Sequence, residues 1–391
     1  MKIIIYCQHV LGIGHFFRTL EICRALDQHQ VVLVSGGPET PAPLPPHVRR
    51  LQLPELAMDH AFQNLHTTDG QSVTQTRASR RAMLEHLFRE ETPDLFLIEL
   101  YPLGRKAFRD ELDPVLAQIR DGHLPPCRVV CSVRDILVEK EDQARHEKRA
   151  VDTLNRWFDA LLIHADPAVI RLDATFDRMA DIRIPVAYTG FVASSVRPAE
   201  KRTAWEAARG ISSEQLLIVA SAGGGAVGYP LLNAATRAVP HLPEDRPIQM
   251  HIFTGPFMDA QGVRRLKQDA DHRTHIHRFA ADFPAWLQAA DLSISMAGYN
   301  TCMNILATGV RALVHPFAQN REQGLRAKLL EDRGCLSVLS TEDLDPPRLA
   351  ERMARHLRVS RQGGACPVDI NGAAHTARWI TDTLTHEKSL S

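Results

Sequence analysis

The sequence predicts an α/β protein of two doubly wound, Rossmann-like domains, and three observations predict it. Short apolar runs recur between helical patterns: 3–7, 31–35, 95–99, 129–133 and 161–164, then 216–221, 250–254, 292–296, 312–315 and 336–339. Continuous runs of this length, bounded by Gly, Pro or charge, mark strands buried on both faces of a parallel sheet. The series restarts after a polar stretch near residue 190. At 391 residues the chain is long enough for two such domains.

The elements follow in order. Residues 1–190 hold the first strand series. Residues 191–203, polar and containing Pro198, read as the linker, and residues 204–374 hold the second series, entered by a short helix at 204–209. The amphipathic pattern at 375–385, within the tail 375–391, predicts a last helix that packs back on the first domain. Two doubly wound sheets facing each other leave an interdomain cleft at the carboxyl ends of their strands. The proline-rich loop at 41–46 and the irregular segments 55–75 and 100–110 read as loops, the latter two on the acceptor side of such a cleft.

Composition excludes several classes. Lys plus Arg and Asp plus Glu both number 46, so no global field favours nucleic acid or an anionic membrane. No stretch approaches the length of an apolar membrane span, and the amino terminus runs straight into a strand without a signal-peptide pattern. The seven cysteines are scattered, without Cys-x-x-Cys spacing, which reads as buried free thiols in a reducing compartment rather than disulfides or a zinc site. A cytoplasmic location is the expectation.

The chemistry-bearing motifs sit where strands end. Gly12-Ile-Gly14-His15 follows the first strand and opens a helix; its glycines permit a tight turn and close approach of a ligand, and His15 can take a proton near neutral pH. Phe17 stands where the third glycine of a dinucleotide fingerprint belongs, so a structural helix cap is the plain alternative. Arg18, one turn on, either reaches a phosphate or lies on a solvated face. Arg134-Asp135 ends another strand and either binds a polar acceptor and orients His15 or caps the next helix. Glu99-Leu-Tyr101 ends a further strand. In the second half, Gly223, Gly224 and Gly225 form a turn whose N–H groups suit a diphosphate, with a plain flexible loop as the alternative. Gly298 and the helix after it, Tyr299-Asn300-Thr301, repeat that anion-binding arrangement, and Glu322-Gln323 can hydrogen-bond sugar hydroxyls.

Taken together, residues 295–327 with Gly-x-Gly-His resemble the GT-B glycosyltransferases, especially the peptidoglycan N-acetylglucosaminyltransferase family and its bacterial relatives. The resemblance implies that His15 is the base, assisted by Asp135. It implies that Gly14, Gly223, Gly224, Gly225, Gly298, Tyr299, Asn300 and Thr301 meet the donor's phosphates, Phe279 and Ala280 its base, and Glu322 and Gln323 its sugar. Gly12, Arg18 and Arg134 then fall on the acceptor side. Asn304 departs from the family, which carries a glutamate there to grip the ribose; an amide gives up the charge-assisted bond. The implied activity is metal-independent, inverting transfer from a UDP-sugar or another nucleoside diphosphate sugar to a small-molecule or lipid-linked acceptor. No cofactor and no nucleic acid take part, and peripheral membrane contact is compatible with it. The Gly-x-Gly-His-x-x-Arg string also resembles the nucleotide-sugar hydrolase of pseudaminic acid synthesis, for which the acceptor is water, and Asn304 motivates a third reading, a non-catalytic binding protein.

Other strings have plainer readings. Asp269-Ala-Asp271 and Asp343-Leu-Asp345 do not follow strands and read as solvated surface, not a metal-diphosphate site. His272, His275 and His277 lack zinc spacing and read as a mostly exposed cluster. Arg77, Arg80 and Arg81 meet an anionic acceptor or headgroups, or form a solvated helix face, which is the default.

Overall fold

The computed structural model describes residues 1–8, 14–37, 42–58, 65–67, 70–138, 142–196, 199–212, 214–358 and 366–388. The chain divides into two units, Met1–Val192 with Asn371–Ser391, and Ala193–Ile370. Gly12 and Pro198 lie outside the described residues.

The first unit begins with β1 (Lys2–Cys7), α1 (Gly14–Ala25), β2 (Gln30–Ser35) and β3 (Val48–Gln52). A small antiparallel pair, β4 (Leu56–Met58) and β5 (Leu65–Thr67), precedes α2 (Val73–Glu91). Then come β6 (Leu95–Glu99), α3 (Arg109–Arg120), β7 (Arg128–Arg134), α4 (Gln143–Trp157), β8 (Ala160–His164) and β9 (Val186–Tyr188). The main sheet is parallel in the order β3-β2-β1-β6-β7-β8-β9. β1, β2, β6 and β8 carry no polar alternation because helices cover both faces of the sheet. The edge strand β3, Val-Arg-Arg-Leu-Gln, is missing from the sequence reading for the complementary reason: it is only partly buried and has no continuous apolar run.

The second unit runs α5 (Ala199–Ala207), β10 (Leu216–Ser221), α6 (Tyr229–Ala238), β11 (Ile248–Phe253), α7 (Ala260–Asp269), β12 (Thr274–His277) and α8 (Phe283–Ala289). It continues through β13 (Leu292–Met296), α9 (Tyr299–Thr308), β14 (Ala312–His315), α10 (Arg321–Glu331), β15 (Ser337–Val338) and α11 (Pro346–Arg358). Its sheet order is β12-β11-β10-β13-β14-β15, all parallel. Ile218, Ala220 and Ile294 pack under Leu231, Leu232 and Ala235 of α6 and Leu349 and Met353 of α11. Each fully buried leucine or isoleucine contributes roughly 1.5–3 kcal/mol. His275 and His277 lie on β12, and His277 stacks on the buried His251 of β11.

The last helix, α12 (Gly372–Lys388), returns to the first unit. Ile380 and Leu384 join the core formed by Ile3, Leu33, Phe16 and Leu20, and His375 Nδ1 lies 3.0 Å from the Thr189 carbonyl oxygen. Asn371 bridges to Val192, so the two crossings between units are adjacent. Helix α5 begins at Ala199, within the stretch 191–203.

Two expectations fail. Cys335 and Cys366 are joined in a disulfide with Cα atoms 5.5 Å apart, within the normal span of such a bridge. Sequence spacing gave no sign of it, because the partners lie 31 residues apart and meet only through the fold. The other five cysteines are free thiols, and all but Cys127 are buried. Arg80 is not on a solvated face: it is fully buried and donates from Nε to Glu111 Oε2 at 2.6 Å and from Nη1 to the Pro54 carbonyl at 2.7 Å. Arg77 and Arg81 do pair at the surface, with Asp110 and Glu85.

Candidate functional site

In an open parallel sheet a ligand crevice forms at the carboxyl ends of the strands where the winding reverses. The first unit reverses between β1 and β6, the second between β10 and β13. His15 and Glu99 follow or close the strands at the first of these places, and the Gly223–Gly225 loop and Gly298 follow those at the second.

His15 is in the first turn of α1, directly after β1, and Glu99 closes β6. His15 Nδ1 lies 2.7 Å from Glu99 Oε1. Arg18, one turn along α1, is buried and donates to the same oxygen. Arg105 Nε is 3.9 Å from Glu99 Oε2. Burial alone would raise the Glu99 pKa, but His15, Arg18 and Arg105 hold it well below the usual carboxylate range. Burial pushes His15 down to about 3; Glu99 opposes this, while Arg105 and Arg18 reinforce it. The imidazole is therefore neutral at neutral pH. An ionised carboxylate can only accept, so the proton sits on Nδ1 and the lone pair on Nε2. The His15 side chain keeps 21% of its surface exposed, so the ring is within reach of a ligand.

Three other expected residues belong to this unit. Gly14 opens α1 beside His15. Arg134 ends β7 half-buried, and Asp135 is fully buried with Oδ1 accepting from the Ile136 N–H at 2.9 Å. The carboxylate on the His15 ring is that of Glu99, and the side chain capping α4 is that of Asp142.

In the second unit two loops interlock at the ends of β10 and β11. Gly225 has φ +89°, and a Cβ there would stand 2.3 Å from the Thr254 carbonyl oxygen. Gly255 has φ +83°, and its Cβ would meet the Gly223 carbonyl oxygen at 2.4 Å. Backbone thus lies against backbone, tied by a hydrogen bond from the Phe257 N–H to the Gly224 carbonyl at 2.9 Å. The glycines are required first by this packing. The Gly225 N–H is used within the turn, donating to the Ala222 carbonyl.

Gly298 is the N-cap of α9 and brings no side-chain hydrogen bond to that helix start. Tyr299 is buried, its ring under the Arg326 guanidinium. Asn300 and Thr301 complete the first turn of α9, and Asn304 lies one turn on, 9% exposed. At α10, Asn320 caps the helix and donates from Nδ2 to Glu322 Oε1 at 3.2 Å. Gln323 Oε1 accepts from the Phe317 N–H at 3.1 Å, which fixes the preceding loop. Phe279 would pass for a core residue in the sequence, yet its ring is 43% exposed, beside the half-buried Ala280. Among the described residues no group of His, Cys, Asp and Glu is arranged to hold a metal ion.

The fold and these placements define a class: two Rossmann-like units of the GT-B glycosyltransferase fold. The chain superposes on the calicheamicin glycosyltransferase CalG4 with TM-score 0.60 over 98% of this chain and 97% of that one, at 15% identity. It superposes on Acinetobacter baumannii MurG with TM-score 0.52 over 99% and 100%, at 14% identity. More particularly, residues 219–362 match the family described as Glycosyltransferase family 28 C-terminal domain. Part of the chain resembles the UDP-N-acetylglucosamine–N-acetylmuramyl-(pentapeptide) pyrophosphoryl-undecaprenol N-acetylglucosamine transferase of Ralstonia nicotianae, 34% identical over 165 residues, 41% of this chain and 45% of that protein. The counterpart in Caldanaerobacter subterraneus is 28% identical over 149 residues, 37% and 40% of the two chains. The matched segment spans less than half the length of these relatives.

Sequence reasoning undervalued Glu99 and missed Arg105. A carboxylate closing an apolar strand run was the available signal for Glu99. Arg105 gave none, since it reaches Glu99 through a left-handed backbone (φ +56°).

Proposed function

We propose that the protein transfers a sugar from a nucleoside diphosphate donor, UDP-linked, to an acceptor hydroxyl. The observation that carries the reading is a coincidence of place. The stretch matching the glycosyltransferase family domain contains the Gly223–Gly225 loop after β10 and the glycine-capped start of α9 after β13, at the winding reversal of its sheet, with the Glu322-Gln323 helix start one strand further on, after β14. The solved relatives include one in complex with UDP and one with thymidine diphosphate, and the curated relatives are named as UDP-N-acetylglucosamine transferases.

In this reading the second unit holds the donor. Backbone N–H groups around Gly223 and at Tyr299, Asn300 and Thr301 meet the diphosphate, Asn304 the ribose, Phe279 and Ala280 the base, and Glu322 and Gln323 the sugar. The first unit supplies the base. As the acceptor oxygen bonds to the anomeric carbon, its proton passes to His15 Nε2, and the bond to the diphosphate oxygen breaks with its electron pair on the nucleotide. Charge on the leaving group is met by the helix start and the glycine loop without a metal. Attack opposite the leaving group inverts the anomeric carbon. A base as weak as His15 suits a transition state in which departure of the diphosphate leads and proton transfer follows. Arg134 and the 100–106 loop fall on the acceptor side. Among the described residues no helix is long and apolar enough to cross a membrane, so a lipid-linked acceptor would be met from the membrane surface.

Calorimetry with UDP and thymidine diphosphate, followed by assays of nucleotide release from UDP-sugars, tests the proposal. Release that requires an acceptor supports transfer. Free sugar formed without acceptor would make the protein a hydrolase, and binding without turnover a non-catalytic relative. Absence of heat with either nucleotide at millimolar concentration would end the reading.

A further inference from the structure

The first unit contains a cation-lined cavity that meets the Glu99–His15 pair at Arg105. A pocket of about 360 Å³ is lined by Gly104, Arg105, Lys106, Asp142, Arg145, His146 and Arg149. Two elements build it: the loop after β6 and one face of α4, where positions 142, 145, 146 and 149 follow the i, i+3, i+4, i+7 spacing of a single helical stripe. His146 Nε2 lies 3.2 Å from the Leu103 carbonyl, which ties that face to the loop.

The charge balance is one-sided. Four permanent cations line the space against one carboxylate, and that carboxylate is engaged as the N-cap of α4, accepting from the Arg145 N–H at 3.3 Å. Lys106, Arg145 and Arg149 have no ion-pair partner among the described residues, although i,i+4 partners serve other cations of the same helix, such as Lys148 with Asp152. Arg105 Nε is buried without a hydrogen-bond acceptor. Four guanidinium and ammonium groups around one small pocket repel one another, and a multiply charged anion relieves that repulsion while supplying the acceptors the guanidinium forks lack. The first turn of α4 adds positive potential.

We propose that this pocket binds a phosphate or diphosphate group, held by Arg105, Lys106, Arg145 and Arg149. Arg105 joins the pocket to the Glu99–His15 pair, so the group it takes belongs to the molecule presented to His15. Only that last step, which makes the acceptor a phosphorylated compound, rests on the transferase reading; the anion site does not.

The test is titration of the full-length protein with inorganic pyrophosphate at low ionic strength, in the presence of saturating UDP to fill any donor site. Arg149→Glu and Arg145→Glu should each weaken pyrophosphate binding at least tenfold, with melting temperature and UDP binding unchanged. Lys148→Glu, on another face of α4, should bind as the parent does. No pyrophosphate binding, equal binding by all variants, or equal weakening by Lys148→Glu would overturn the site. If UDP fails to bind while the arginine variants still lose pyrophosphate, the pocket stands and the transferase reading falls.

Discussion

His15 carries the chemistry proposed for the first unit, and its neighbours determine what it can do. The Glu99 carboxylate at 2.7 Å fixes the tautomer, and Arg18 and Arg105 keep that carboxylate ionised. Replacing His15 by Ala should lower kcat about 10²–10⁴-fold, the range of a lost general base, while calorimetric UDP affinity stays the same. Unchanged turnover would remove His15 from the mechanism. Glu99→Gln is a different experiment, because it removes the buried carboxylate that faces both Arg18 and Arg105. It should cost about 3–5 kcal/mol in urea denaturation, as breaking buried ion pairs does. A cost below 1 kcal/mol would mean the network is looser than its distances indicate.

At the scale of elements, the two loops at the ends of β10 and β11 act as one piece. Gly225→Ala pushes a methyl group to 2.3 Å from the Thr254 carbonyl oxygen at a φ of +89°, so the loops must part. About 1–3 kcal/mol of stability should be lost, with UDP affinity falling at least tenfold. Gly223→Ala meets no atom within 4 Å and bears only the strain of φ +62°, so it should cost about 1–2 kcal/mol. Equal effects of the two on UDP affinity would show that loop packing does not shape the site. The Cys335–Cys366 bridge closes a loop across a separation of 31 residues. Loop closure makes it worth about 3–4 kcal/mol, to be read as the loss of denaturation free energy in Cys366→Ser.

Across the whole molecule, burial sets a pH dependence. His15, His164 and His251 are each pushed down to about 3, chiefly by burial. Their folded values lie below the unfolded value of 6.5, so the unfolded chain binds more protons. The stabilisation is complete above pH 6.5 and is lost as pH falls toward 3. The fully buried His164, between Ser132 at 2.6 Å and Thr189 at 2.8 Å, is the clearest contributor. Its share approaches about 1.4 kcal/mol per pH unit through that window. Denaturation free energies at pH 7 and pH 5 check this: the protein should be less stable at pH 5, and His164→Gln should flatten the difference.

Local residue pattern is enough to specify the fold class and most of the buried strands, because a strand covered on both faces must be apolar along its whole length. It also placed the glycine turns and His15 at strand ends, since turns and helix starts have local residue requirements. Partly exposed edge strands such as β3 and β12 carry no such signature. That Glu99 rather than Asp135 meets His15, that Arg18 and Arg80 are buried, and that Cys335 finds Cys366 emerge with the packed fold. Each depends on a contact between residues distant in the chain, or on the burial those contacts create, and the pattern of one segment does not encode the identity of its partner.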